Sequence, residues 1–268
     1  MAKRVESPSS INTFLQCNRK YYYQYIEKLP TKASIHTVRG NIAHSVLEEF
    51  YTLDVRSFTE ENYEKGFKIA LQKEFLVQWG KYKEELFALQ LPQQELAKYF
   101  EETLLMLLNW GNHYLSEFKK KFTGSVQETF TKMKPITEME YSSEALSVHG
   151  FIDAIHYIDD EVHIIDYKTN AHSDIKESIK LQLGIYSLMY QEKHGKAPEK
   201  VGVFFLNDKL YLLPVDQDLL KNARFAIEQI HAQTTITENI VDYKRHITPL
   251  CKWRTGQCDF YAICKPHG

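Results

Sequence analysis

Residues 148–169 read VHGFIDAIHYIDDEVHIIDYKT, a stretch that sets charged side chains inside two otherwise apolar segments. Val148 to Ile158 and Val162 to Lys168 are rich in β-branched and aromatic residues. Asp159, Asp160 and Glu161 lie between them as turn formers, so the pattern predicts a β-hairpin. Side chains alternate along a strand, which puts Asp166 and Lys168 on one side, with Asp153 able to lie across from them. Phe151, Ile152, Ile155, Ile164 and Ile165 make the surroundings apolar. Two carboxylates and an ammonium in such a place are costly unless they pair or bind a metal.

The chemistry this suggests is metal-assisted hydrolysis of a phosphodiester. Carboxylates are hard oxygen ligands suited to Mg²⁺ or Mn²⁺. A bound metal lowers the pKa of its water and neutralises phosphate oxygens. A lysine two residues from a ligand can orient that water and stabilise developing charge. An isolated D-x-K is far more often an ion pair at a hairpin end, so the reading depends on the rest of the chain.

The chain has 268 residues, enough for one large domain or two small ones, and its 43% hydrophobic side chains supply a full core and argue against global disorder. Its net charge is −2, so any nucleic-acid site must be a local patch. No apolar run is long enough to span a membrane, and MAKRVESPSS lacks the apolar core of a secretory leader. A cytoplasmic, reducing location is therefore expected, with cysteines not used as disulfides.

Ser7-Pro8-Ser9-Ser10 reads as a helix start, followed by Ile11, Phe14 and Leu15 at helical spacing. Beyond Cys17, Arg19 and Lys20 precede Tyr21, Tyr22, Tyr23 and Tyr25. Basic residues beside aromatics suit a nucleic-acid strand, with Arg19 and Lys20 as phosphate contacts. A buried tyrosine face is the more ordinary explanation. Residues 40–50 form a second predicted helix with Ile42, Val46, Leu47 and Phe50 on its apolar stripe. It carries His44, a candidate metal or phosphate ligand close to Gly40, where the backbone can approach another element. Residues 54–123 read as helical, from Thr59 to Lys81 and from Gln93 to Phe122, with a boundary at Pro92 and a break near Gly111. This region holds no catalytic constellation.

Ile136 to Ser142 reads as a strand carrying Glu138 and Glu140 on one face. Asp174 to His194 reads as a helix in which Gln182 and Tyr186 share a face and Gly195 ends the run. A second hairpin, 199–206 with 210–215, precedes a helix capped by Asp216. The order predicts an α/β fold, with a mixed central sheet packed against helices.

Cys251, Cys258 and Cys264 crowd the last eighteen residues, and Cys17 can supply a fourth ligand. A metal-bound cap, with Zn²⁺ or an iron–sulfur cluster, would staple a segment that has little core of its own. Ordinary buried thiols are the alternative.

Taken in order, Ser9 and Cys17, His44, GFID (Gly150 to Asp153), IIDYKT (Ile164 to Thr169), Gln182 with Tyr186, and the terminal cysteines form a set. That set resembles the RecB-like nucleases of the PD-(D/E)XK superfamily, in the iron–sulfur branch of CRISPR-associated exonucleases and AddB-type nucleases. The resemblance covers most of the chain outside 54–123. It implies a single restriction-endonuclease-like nuclease domain over 1–268, with 54–123 as a helical insertion and Cys17 plus 251–264 as an iron–sulfur cap. It implies that His44, Asp153, Asp166 and the Tyr167 backbone carbonyl hold Mg²⁺ or Mn²⁺, and that Lys168 is the catalytic lysine. Gln182 and Tyr186 would orient Lys168 or contact DNA. Glu140 would take the acidic position before GFID, with Glu138 competing for it. Cys17, Cys251, Cys258 and Cys264 would bind a [4Fe–4S] cluster. Two features depart from the family pattern: six residues rather than two separate Cys251 from Cys258, and Asn18 replaces a proline after the first cysteine. The implied activity is a DNA exonuclease on single-stranded ends, in CRISPR spacer acquisition beside CRISPR integrase proteins. A repair, recombination or mobile-element nuclease, and a non-catalytic DNA-binding scaffold, stay open beside it.

Overall fold

The central hairpin forms, and it lies in the middle of a five-stranded sheet. The computed structural model describes residues 3–170, 174–254 and 256–265. Strands β1 (Ile136–Ser143), β2 (Val148–Ile158), β3 (Glu161–Lys168), β4 (Lys200–Phe205) and β5 (Leu210–Pro214) follow one another in space in chain order. Only β3 and β4 are parallel among these neighbours. Parallel neighbours need a crossover, and helix α8 (Glu177–His194) supplies it. The turn between β2 and β3 is tighter than the sequence suggests. Glu161 already pairs with Ile158, which leaves Asp159 and Asp160 as the turn, with Asp159 at φ 54°. Left-handed backbone is tolerated by aspartate better than by most residues.

Helices cover both faces of the sheet. On one face α1 (Pro8–Gln16), α8 and α9 (Gln217–Thr234) pack on Ile164, Val201, Val203 and Phe205. The start of α1 is fixed by a reciprocal cap between Ser7 and Ser10, and Asp216 caps α9 by accepting from the Leu219 N–H. On the other face α3 (Ile35–Phe50), α4 (Tyr63–Lys81), α6 (Gln93–Lys121) and α7 (Val126–Met133) pack on Ala154, Ile165, Tyr167 and Phe204. Residues 54–123 therefore share a core with the sheet. Short α2 (Asn18–Tyr21), which leads into a π-helical turn, and α5 (Lys83–Ala88) complete the helices before β1.

Helix α6 runs unbroken through Gly111, where the sequence suggests a break. A glycine inside a helix costs about 1 kcal/mol. Here α4 closes on the bare backbone, so that a Cβ at Gly111 would stand 2.9 Å from Leu71 Cδ2. The burial of Leu107, Trp110, Tyr114 and Phe118 along the same helix outweighs that cost. The chain closes with a small hairpin of β6 (Lys252–Trp253) and β7 (Gly256–Gln257), then α10 (Tyr261–Cys264). Thr255, between β6 and β7, lies outside the described residues, as do Met1 and Ala2 of the leader reading.

Candidate active site

Asp153 sits where β2 changes face. Ile152 belongs to the core under α8, yet Ala154, two residues on, belongs to the opposite core beneath α6. Regular alternation would keep both on one side. The hydrogen-bonded ladder with β3 ends at Ala154, and the Asp153 carboxylate takes over by accepting from the Tyr167 N–H at 2.8 Å. Glu138 occupies the matching register position on β1, between Thr137 and Met139, which pair with Ala154 and Ile152. Its φ is +46°, a strained conformation for a glutamate in a strand.

These two irregularities bring three ligand atoms together. His44 Nδ1 lies 3.4 Å from Asp153 Oδ2 and 3.6 Å from Glu138 Oε1. Among the described residues, His44, Glu138 and Asp153 are the group whose ligand atoms all lie within 4.8 Å of one another. His44 Nε2 donates to the Tyr167 carbonyl at 3.1 Å, which fixes Nδ1 as the atom facing the carboxylates. Burial lowers the His44 pKa, but Asp153 and Glu138 more than reverse it and push it up to about 10. One oxygen-rich pocket is thus holding a positive charge already. A donor set of one imidazole, two carboxylates and a nearby carbonyl suits a divalent cation of the Mg²⁺ or Mn²⁺ class.

Asp166 stands beside this group. It is fully buried in the sheet, and burial pushes its pKa up to about 6 despite the counter-charge of Lys168. Lys168 Nζ ion-pairs with Asp166 Oδ2 at 2.8 Å. Asp166 Oδ1 accepts from Gln182 Nε2 at 2.9 Å, and the same amide donates to the Tyr186 hydroxyl at 2.8 Å. Burial lowers the Lys168 pKa, and Asp166 more than offsets it, so the group stays an ammonium. Gln182 and Tyr186 reach Asp166 from one face of α8, as their i, i+4 spacing requires.

Glu140 does not join. It is exposed and pairs with Phe151, whereas Glu138 turns toward His44. The two glutamates alternate identically on a regular strand, so only the backbone irregularity separates them. Gly40 is in ordinary contact, since a Cβ there would sit 3.9 Å from Thr169 Oγ1, and the site does not require a glycine. Sequence reasoning missed Arg39, one residue earlier. Its buried guanidinium donates to Glu102 at 3.0 Å and to the Thr169 carbonyl at 3.3 Å, tying α6 to the loop after Lys168. Nothing in local sequence marks that pairing.

The four cysteines line one cavity of about 210 Å³. Cys258 N–H donates to the Cys251 carbonyl at 3.0 Å, closing the base of the β6–β7 hairpin. The six residues between these cysteines are therefore looped out, and both thiols still face the cavity. A single tetrahedral zinc holds sulfurs at about 2.3 Å from the metal, which draws them within about 4 Å of one another. No three of these thiols are that close among the described residues. Arg19 is committed elsewhere: its Nε donates to the Tyr243 carbonyl at 2.7 Å. Lys20 is partly exposed and lines the cysteine cavity. Of the four tyrosines that follow Lys20, Tyr21 and Tyr23 are buried.

Among the described residues, no helix is long and apolar enough to cross a membrane. The chain is similar to the CRISPR-associated exonuclease Cas4 of Francisella tularensis subsp. novicida (strain U112). Identity is 25% over 126 residues, or 47% of this chain and 60% of that protein. The chain thus spans under two thirds of the length of that relative. A crystal structure from Eubacterium rectale, provisionally described as an exonuclease, superposes over 98% of this chain and 94% of its own with a TM-score of 0.50. Identity there is 12%, which speaks for the fold. The family model for the PD-(D/E)XK nuclease superfamily matches residues 6–265. With that match over nearly its whole length, the chain belongs to the PD-(D/E)XK nuclease superfamily, whose nucleases use divalent metals.

Proposed function

We propose that the protein is a divalent-metal-dependent deoxyribonuclease that trims single-stranded DNA ends, working in CRISPR spacer acquisition beside integrase proteins. The observation that carries the nuclease reading is the cluster of His44, Glu138 and Asp153 beside the Asp166–Lys168 pair. The Cas4 match supports the CRISPR setting. His44, Glu138, Asp153, Asp166 and the Tyr167 carbonyl would hold Mg²⁺ or Mn²⁺. Such an ion supplies an activated water and charge neutralisation at the scissile phosphate.

The chain's own residues do the rest. Lys168, kept an ammonium by Asp166, donates hydrogen bonds to the attacking water or to the phosphate oxygens as negative charge builds there. Gln182 holds Asp166 Oδ1 in place and is itself braced by Tyr186, which keeps its hydroxyl proton because burial raises its pKa. Asp153 fixes the backbone of Tyr167 and so the position of that carbonyl.

The cysteine cavity fits a polynuclear cluster better than a single ion, and we assign Cys17, Cys251, Cys258 and Cys264 to a [4Fe–4S] cluster. Lys20 at its rim is the phosphate contact we favour, with Arg19 serving as a clamp on the 243–245 segment. The test is strand degradation by anaerobically purified protein. End-labelled single- and double-stranded DNA would be given Mg²⁺ or Mn²⁺, with Lys168→Ala in parallel. Metal-dependent loss of label from single strands in the wild type alone is expected. Cluster-loaded, folded protein that cuts neither substrate, or a Lys168→Ala variant that still cuts, overturns the assignment. Iron and acid-labile sulfide in equal amounts are expected in the purified protein, and zinc without sulfide would overturn the cluster.

A further inference from the structure

A second cavity, of about 310 Å³, opens between α6, α7 and the face of the sheet that carries Ile165 and Tyr167. Trp110, Tyr114, Tyr167 and Phe204 form its buried aromatic floor. Lys121, at the end of α6, and Lys132 and Lys134, at the end of α7, stand at its exposed rim. Lysines in a last helical turn are ordinary partners of the helix dipole. These three converge on one opening, however, and His113, His156 and His163 line it as well. Glu117 is the one carboxylate in the lining among the described residues, and its Oε1 already accepts from Lys120 at 2.6 Å. The opening thus has a surplus of positive charge over an aromatic base. Burial, with the Lys121 ammonium nearby, holds the His156 pKa down to about 4.

A second observation points to an occupant. Tyr114 is buried in the lining, yet its hydroxyl has no hydrogen-bond partner. A buried hydroxyl left unpaired is costly, so a partner such as water, an ion or a ligand group is called for there. Ligand pockets span about 300–1,000 Å³, so this cavity suits one small molecule rather than a strand. Aromatic rings stack on planar bases and ammonium groups bind phosphate.

We propose that this cavity binds a single nucleotide, its base stacked among Trp110, Tyr114 and Phe204 and its phosphate held by Lys121, Lys132 and Lys134. The site shares Tyr167 with the carboxylate cluster, by its ring here and its backbone there, but none of the cluster's ligand side chains, and it needs no divalent metal. Its test therefore stands or falls independently of the nuclease reading.

The experiment titrates full-length protein, without added divalent metal, with deoxyadenosine monophosphate, deoxyadenosine and inorganic phosphate. Calorimetry reports binding, with intrinsic tryptophan fluorescence, to which Trp110 contributes beside Trp79 and Trp253, as a second readout. The monophosphate should saturate, with the nucleoside and phosphate each at least about tenfold weaker, since each supplies half of the contacts. Lys121→Glu with Lys132→Glu should weaken the monophosphate at least about tenfold by turning attraction into repulsion. Both lysines are exposed, so an unchanged circular dichroism spectrum is expected beside that loss. Asp166→Asn should leave binding unchanged. The proposal is overturned by absent saturation, by equal binding of phosphate alone, by an indifferent lysine double variant, or by loss of binding in Asp166→Asn.

Discussion

His44 commits its Nε2 proton to the Tyr167 carbonyl and turns Nδ1 to Asp153 and Glu138, so a proton on Nδ1 and a divalent cation compete for one place. The discriminating pair is Glu138 and Glu140. We expect Glu138→Gln to lower cleavage at least about 10–100-fold, the range seen when metal-site partners are removed. Glu140→Gln, at an exposed position, should cleave as wild type does. A reversed order in a metal-dependence assay would return the role to Glu140. Lys168→Ala should abolish cleavage and leave the thermal unfolding transition two-state. A second residue-scale expectation concerns pH. His156 ionises near pH 4 in the folded chain, below its ordinary 6.5. As pH falls, the unfolded chain takes up the proton first, so this contribution is complete above about pH 6.5 and is lost progressively toward pH 4. A His156→Gln variant should lose less stability than wild type across that window, read as urea midpoints. Parallel slopes for the two proteins would refute it.

At the scale of elements, the site depends on how closely α8 can lie on its neighbours. Gln182 and Tyr186 reach Asp166 from α8, and Gly184 between them faces α9. A Cβ at Gly184 would stand 2.9 Å from the Ala223 Cβ and 3.0 Å from the Leu219 carbonyl oxygen. Neither partner is the far end of a flexible chain, so α8 and α9 would have to separate. Gly184→Ala should destabilise by about 1–3 kcal/mol, the usual cost of overpacking, in chemical denaturation. Cleavage should fall with it if α8 moves off Asp166. Unchanged stability would mean that the helices have slack the packing does not suggest. The second element of note is β1, where the left-handed Glu138 backbone stores strain beside the ligand cluster.

Across the whole molecule, two cores share one sheet, and the cysteine cavity joins the chain's two ends. Cys17 follows α1, while Cys251, Cys258 and Cys264 lie some 230 residues later in a segment with few buried side chains. Arg19 N–H and Nε hold residues 243 and 244 by their carbonyls, which gives that segment its route to Cys17. A cluster on these four thiols, as proposed, would cross-link such distant residues and remove much chain entropy from the unfolded state. Cys17→Ser should therefore free the segment 251–264 to proteolysis and hydrogen exchange, with the sheet protected as before. Equal protection of that segment in both proteins would show that it packs without the cluster.

The sequence by itself determined the hairpin, its Asp–x–Lys pair, the caps at Ser7 and Asp216, the helix that becomes α8 and a mixed sheet between helices. Each rests on local periodicity or on short-range turn and cap chemistry, which adjacent residues decide between them. Tertiary structure alone decided which glutamate faces His44, because both alternate identically until the backbone at Glu138 turns left-handed and β2 changes face at Asp153. It also decided that α6 passes through Gly111, since the gain comes from Leu71 on another helix. Arg39 and the basic, aromatic cavity beneath α6 and α7 were equally out of local reach. Their partners lie far apart in the chain, and only packing brings them together.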